Sequence, residues 1–312
     1  MLLREAGRDL IRDVAAPLWL LVNQTAWPGQ TCGFDLVKCG ASSILAHLAY
    51  CHITDGERAL GNRATIVPSR VFQELVTGEQ VDFIEALNSV DIGDVEVIET
   101  RSFVAVTARV RDILFIGVRG TAFAYDWLVN LKVSKAEDDS GRAYHEGFLT
   151  EARELRGALM NRVETRSTKN DNMIYLAGHS LGGAVASILN DLDPFTSASG
   201  CYIFGSPRIS GGLKPIGNCL PFATRRYLDI VPHVPMRGLG YVDHPNQMQP
   251  DGNDFQSADF PELYYFSLWL LSLAGRQFIA NHAMEQYRRE VLDAVKKLPQ
   301  ISGHWRFADI TL

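Results

Sequence analysis

The chain is predicted to fold as an α/β protein with a mostly parallel central sheet, antiparallel strands at its N-terminal side and helices on both faces. Three observations predict it. Residues 113–118, 173–176 and 201–204 are short, almost wholly apolar runs, as parallel strands covered on both faces require. The runs at 103–108 and 113–118 are separated only by the charged residues 109–112, which suits a hairpin. From Met173 onward the chain reads strand, glycine-flanked turn, then an apolar helix through Ala184, Val185, Ala186, Ile188 and Leu189. Strands alternating with helices imply a covered, mostly parallel sheet.

Taken in order, residues 1–22 suggest an amphipathic helix through Leu10, Ile11, Val14 and Leu18. Residues 25–40 carry Pro28 and several glycines and are expected to be a loop, and 42–52 place Ile44, Leu45, Leu48 and Ala49 at helical spacing. Pro68 opens a short helix to residue 76. Val95, Val97 and Ile98 start the sheet, and the two hairpin strands follow. Residues 134–143 are polar and are expected to form a surface loop; 151–165 form a helix with Leu155, Leu159 and Val163 on one face. After the central turn, strands are expected at 201–205 and 225–228, a polar loop at 242–257, and a closing helix over 282–298. Residues 263–273 are uncharged and rich in aromatics, so they fit a core helix and a mobile cover equally well. No repeat or linker divides the chain. We expect one domain over 1–312, with an N-terminal helical part (1–94) packed on a catalytic core (95–298).

Composition narrows the function classes. A chain of 312 residues with 46% hydrophobic residues fills a sizeable core. A net charge of −6 argues against a nucleic-acid surface, which needs concentrated Lys and Arg. No apolar run approaches the ~20 residues of a membrane span. Charges of both signs at Arg4, Glu5, Arg8 and Asp9 do not resemble a signal peptide, so a cytoplasmic or non-classically exported protein is expected. Five cysteines, Cys32, Cys39, Cys51, Cys201 and Cys219, match no zinc or redox spacing. They are expected to be reduced and mostly buried, with one bridge among the first three as the alternative in an exported protein.

The turn after Met173–Leu176 carries the chemistry. Gly178-His179-Ser180-Leu181-Gly182 fits G-x-S-x-G, the pattern that raises a serine hydroxyl above a sheet at a tight strand-to-helix turn. Serine needs a base, and the base an orienting acid. His282 precedes a helix where a loop can present it over the strand ends, whereas His233, His244 and His304 are the alternatives. Asp229 follows a strand directly, whereas Asp243, Asp251 and Asp254 lie in a polar loop. An oxyanion hole needs two amides: Leu181 follows the nucleophile, and Thr121 follows Arg119-Gly120 at an earlier strand end. Phe123, Tyr125 and Trp127, with His179 beside the nucleophile, are expected to contact substrate. No metal or cofactor is expected. A calcium loop at Asp251-Gly252-Asn253-Asp254 would lack the full ligand set.

The blocks VRGTAFAYDWLVNL, HEGF, LAGHSLGGAVA, IFGSPRI, YLDIVPHVP and NHAMEQY, over about residues 95–295, resemble the class 3 lipase family, the fungal-type triacylglycerol lipases and their bacterial relatives. The resemblance implies an α/β-hydrolase fold with Ser180 as nucleophile, Asp229 as acid, His282 as base and Thr121 with Leu181 as oxyanion hole. It also implies a lid at about 122–130 and a structural role for His145. The expected activity is hydrolysis of lipid esters through an acyl-enzyme, on a substrate of triacylglycerol type met at a lipid–water interface. Phospholipase A1 and short-chain or feruloyl esterase activity on the same machinery are alternatives, as is a non-catalytic lipid-binding relative. A bacterial source is expected, and no oligomeric state is implied.

Overall fold

The computed structural model describes residues 10–24, 27, 32–54, 83–100, 103–120, 132–167, 173–212, 219–251, 254–257 and 281–302. The helix expected from Pro68, the residues Thr121, Phe123, Tyr125 and Trp127, the lid segment 122–130, the aromatic stretch 263–273 and His304 lie outside the described residues.

Ten strands are described: β1 Gly93–Glu99, β2 Val104–Val110, β3 Ile113–Arg119, β4 Lys135–Glu137, β5 Ala143–His145, β6 Met173–His179, β7 Gly200–Phe204, β8 Phe222–Thr224, β9 Asn246–Asp251 and β10 Asp254–Ser257. The helices are α1 Ala16–Gln24, α2 Leu36–Leu48, α3 Phe83–Asn88, α4 Glu146–Ser167, α5 Leu181–Leu189, α6 Met284–Val295 and α7 Pro299–Ser302. Eight strands form one sheet in the order β1-β2-β3-β6-β7-β8-β9-β10. β1, β2 and β3 pair antiparallel, and β3, β6, β7, β8 and β9 pair parallel. This is the α/β-hydrolase architecture expected, with its antiparallel N-terminal start.

Side-chain alternation along the strands creates two cores. Phe115, Tyr175, Tyr202 and Phe204 face α1, α2 and α6, where Leu18, Ile44, Leu45, Tyr287 and Val291 are buried. Leu114, Ile116, Leu176 and Ile203 face α4 and α5, packing on Leu155, Leu159, Val185 and Ile188. Both faces of β3 and β7 are fully buried, which explains their continuous apolar sequences. α2 begins where Asp35 accepts hydrogen bonds from the amides of Val37 (2.9 Å) and Lys38 (3.0 Å), an N-cap inside the stretch read as a loop.

Three further expectations are corrected. Residues 134–143 are not a plain loop: β4 and β5 pair antiparallel, from Lys135 opposite His145 to Glu137 opposite Ala143. The polar stretch 242–257 contains β9, which adds to β8, and β10, which folds back on it. Asp251 pairs with Asp254, so the two outer residues of the stretch considered for calcium are strand partners. These strands take their backbone partners from neighbours, a contribution that side-chain periodicity does not report. The strand expected at 225–228 lies earlier, as β8. The chain after Thr224 leaves the sheet, which frees Arg225–Asp229 to build the site.

The cysteine expectation is also corrected. Cys32 and Cys219 form a disulfide with Cα atoms 5.0 Å apart across 187 residues of sequence, while Cys39, Cys51 and Cys201 are free and buried. The bridge fastens the segment before α2 to the segment before β8. Closing so long a loop restricts the unfolded chain by up to about 5 kcal/mol in the chain-entropy view. Reduction, or a Cys219→Ser substitution, is therefore expected to lower Tm by roughly 10 °C. Thermal melts with and without dithiothreitol check this; superimposable melts would contradict it.

Candidate active site

The register of the parallel strands puts four strand ends in one row. Val118 lies opposite Gly178, His179 opposite Phe204, and Phe204 opposite Thr224. The residues just past these ends are Gly120, Ser180, Gly205 and Arg225, at the carboxyl edge of the sheet, where open α/β folds place their ligands.

Ser180 occupies the turn between β6 and α5 with φ 59° and ψ −130°, a backbone region costly for any residue with a side chain. Its amide donates to the carbonyl of Phe204 at 2.9 Å, which anchors the turn to β7. The two motif glycines permit the approach. A Cβ on Gly178 would stand 2.3 Å from the carbonyl oxygen of Gly182, and one on Gly182 would stand 2.2 Å from that of Val118. The Leu181 amide opens α5 beside Gly120, whose built Cβ would lie 3.0 Å from that nitrogen and 3.1 Å from the Ser180 Cβ. The end of β3 thus borders the nucleophile turn, the placement that an oxyanion pair from Leu181 and the residue after Gly120 requires.

Asp229 is fully buried at the end of the segment leaving β8. Its Oδ2 accepts from His282 Nδ1 at 2.7 Å and from the Tyr287 hydroxyl at 2.6 Å, and its Oδ1 accepts from the Val231 amide at 2.9 Å. His282 is buried in the turn before α6, and its Nδ1–H donates to the carboxylate, which turns Nε2 away from Asp229. Among the described residues neither that Nε2 nor Ser180 Oγ has a hydrogen-bond partner, although both are buried. Gly205, with φ +55°, leaves room for the pair: a Cβ there would stand 2.8 Å from Asp229 Oδ2 and 3.0 Å from His282 Cε1.

The alternative histidines are engaged elsewhere. His233 lies with both ring nitrogens within 2.9 Å of the Arg225 guanidinium, and His244 Nε2 is 3.0 Å from the carbonyl of Pro207. The expectation that His179 contacts substrate is corrected: its ring is 1% exposed, with Nδ1 2.8 Å from the Tyr50 hydroxyl and Nε2 2.7 Å from the carbonyl of His282. Both ring nitrogens are thus taken by protein groups.

Three site residues escaped the sequence reading. Tyr287, in the first turn of α6, donates its hydroxyl to Asp229, a contact that no local pattern in the sequence signals. Arg208, fully buried, donates to Asp243 Oδ1 (2.6 Å) and to the carbonyls of His233 (2.6 Å) and Pro235 (2.9 Å), pinning the segment after Asp229. Tyr50 carries no local signal at all.

Burial makes several histidines sensitive to acid. Burial first, then the nearby arginines Arg225 and Arg208, drives His233 down to about 2. Burial likewise takes His244 to about 4, and holds His47 and His179 well below the ordinary imidazole value. In the folded state these rings stay neutral, while in the unfolded chain they take up protons below about pH 6.5. Their contribution is therefore intact above that pH and is lost as pH falls from it toward the folded values, by about 1.4 kcal/mol per histidine per pH unit. Tm is expected to drop steeply between about pH 6.5 and 4.5. A Tm profile that stays level across that window would contradict this.

The fold is that of an α/β-hydrolase, with a serine on a strained strand-to-helix turn and, beside it in the same strand-end region, an imidazole paired with a buried carboxylate. Residues 115–238 match the family model described as Lipase (class 3). The secreted mono- and diacylglycerol lipase 1 of Fusarium solani is 31% identical over 111 residues. That match spans 33% of this chain and only 32%, about a third, of the Fusarium protein. Among solved structures, the lipase of Rhizopus microsporus var. chinensis superposes with a TM-score of 0.52 at 20% identity, covering 74% of this chain and 87% of that one. A crystal structure of a mutant MDLA from Penicillium cyclopium gives 0.52 at 17% identity, covering 73% and 88%. These likenesses establish the fold. Among the described residues no helix is long and apolar enough to cross a membrane, and no group of three His, Cys, Asp or Glu side chains is placed to hold a metal ion.

Proposed function

We propose that this protein hydrolyses carboxylic esters of lipids through an acyl-enzyme on Ser180. The observation that carries the reading is the pairing of His282 Nδ1 with Asp229 at 2.7 Å, with the His282 ring 4.6 Å from that of His179, the neighbour of the strained Ser180. His282 takes the serine proton as Oγ attacks the ester carbonyl, and the developing imidazolium is stabilised by Asp229. The Leu181 and Thr121 amides receive the oxyanion; such a donor is worth about 10²–10³ in kcat. His282 returns the proton to the departing alcohol, then activates the water that frees the acid. Phe123, Tyr125 and Trp127, apolar in the segment after Gly120, are the residues we assign to acyl-chain contact.

Acylglycerols are the substrate class we favour, supported by the class 3 lipase match and the Fusarium relative. The disulfide between Cys32 and Cys219, together with the name of that secreted relative, supports an oxidising, exported setting over the cytoplasmic one expected from the N-terminus. Packing of α1 and α2 into the same core as β3, β6 and α6 supports treating the N-terminal helical part as integral to one catalytic domain. The test is a substrate panel with purified protein: monoolein, diolein, triolein, phosphatidylcholine and p-nitrophenyl butyrate. We expect turnover of the glycerides and the nitrophenyl ester, with phosphatidylcholine at least about tenfold slower. Absence of turnover on all five, with no fluorophosphonate labelling of Ser180, would overturn the reading.

A further inference from the structure

His179 occupies an unusual position in the site. It is covalently joined to Ser180, yet its side chain reaches the residue that carries the base: its Nε2 lies 2.7 Å from the carbonyl oxygen of His282. A carbonyl oxygen only accepts, so Nε2 carries the proton. The buried ring is neutral, so Nδ1 is bare and accepts from the Tyr50 hydroxyl at 2.8 Å. The tautomer of His179 is therefore set by two groups from distant parts of the chain, one before the sheet and one after it.

The surroundings hold each member in place. Tyr50 is 1% exposed in the short turn Ala49–Cys51 that follows α2, and its ring meets the His179 ring edge-on at 5.6 Å between centroids. The Arg119 guanidinium, one residue before Gly120, lies 6.0 Å from the centre of the Tyr50 ring and donates to the carbonyl of His52 at 2.9 Å. The rings of His179 and His282 lie 4.6 Å apart. Asp229 fixes His282 through its side chain, and His179 fixes it through its backbone.

We propose that Tyr50 and His179 are positioning residues for the hydrolytic reaction, a relay in which Tyr50 sets the tautomer of His179 and His179 holds the His282 backbone at a fixed distance from the nucleophile. The relay rests on the proposed roles of Ser180 and His282. Serine and base then share one anchor, so displacement of one is followed by the other. Small displacements matter here, because a misplacement of about 1 Å in a catalytic group can cost about 10²-fold in rate. Tyr50 lies outside the stretch that matches the lipase family, so the relay also gives the N-terminal helical part a share in the chemistry.

The test uses the full chain and four variants: Tyr50→Phe, His179→Leu, His179→Gln and Ser180→Ala. For each, kcat and KM on p-nitrophenyl butyrate and the rate of inactivation by a fluorophosphonate are measured beside Tm. We expect Tyr50→Phe to lower kcat roughly tenfold and His179→Leu roughly 30-fold or more, with KM within about twofold and inactivation slowed in parallel. His179→Gln retains an N–H near the place of Nε2 and is expected to recover most of the loss. If Tyr50→Phe and His179→Leu keep kcat within about twofold while Ser180→Ala is inactive, the relay is overturned and the triad stands. Loss of kcat that only tracks Tm, without recovery in His179→Gln, overturns it as well. Retained turnover in Ser180→Ala would remove the triad and the relay together. Should His179→Leu fail to fold, Tyr50→Phe decides alone, since it removes a single oxygen.

Discussion

Replacing Ser180 by alanine is expected to lower turnover on p-nitrophenyl butyrate by about 10⁴–10⁶-fold while moving Tm by no more than a few degrees. The two halves of the expectation have separate physical causes. Activity depends on one atom, Oγ, which supplies the nucleophile, and the remaining oxyanion and binding contributions cannot replace it. Stability hardly depends on that atom, because among the described residues Oγ has no hydrogen-bond partner and its removal orphans no other group. Alanine carries the same Cβ, so the strain of the turn at φ 59° is unchanged. Turnover assays and melting curves on the same preparation check both halves. Activity above about 1% of the parent would sink the assignment of Ser180 as nucleophile.

Asp229→Asn is expected to lower kcat by about 10³–10⁴-fold with little change in KM. Three donors converge on this carboxylate: His282 Nδ1–H and Tyr287 O–H on Oδ2, and the Val231 amide on Oδ1. An asparagine offers one oxygen and one NH2 group. If the NH2 faces Val231, two donors oppose each other in a buried site. If it faces His282, the ring must shift its proton to Nε2, and Nε2 can then no longer accept the serine proton. Either outcome disables the base or distorts the loop that carries the acid. Steady-state kinetics settle the size of the effect, and a loss smaller than about tenfold would show that Asp229 does not orient His282. Tyr287→Phe removes one of the three donors and is expected to have a much smaller effect, about tenfold or less.

The local features of this chain were legible before any coordinates. The Gly178–Gly182 turn is written in adjacent residues, because a strained turn needs glycines at fixed offsets from the serine. The hairpin at 104–119 and the buried strands β6 and β7 follow from apolar period and charge alone. Asp229 and His282 were singled out as polar residues at strand-end loops, helped by the ordered blocks around them, and the fold pairs them at 2.7 Å. The polar strands β9 and β10 were misread because their hydrogen-bond partners are supplied by β8 and by each other, and their own side chains carry no alternating pattern. Cys32 and Cys219 were read as reduced thiols for a related reason: bridging depends on a 5.0 Å approach of Cα atoms that only the packing of α2 against the sheet creates.

By itself the sequence determined the fold class, the place of the serine turn and the residues able to act around it, since each is encoded within one strand, turn or helix. Only the tertiary structure decided which distant side chains finish those groups: Tyr287 on Asp229, Arg208 on the segment behind the acid, and Tyr50 on His179. The reason is that a hydrogen bond between residues 129 positions apart leaves no periodicity in the chain; it exists only once both cores have packed and brought donor and acceptor to 2.8 Å.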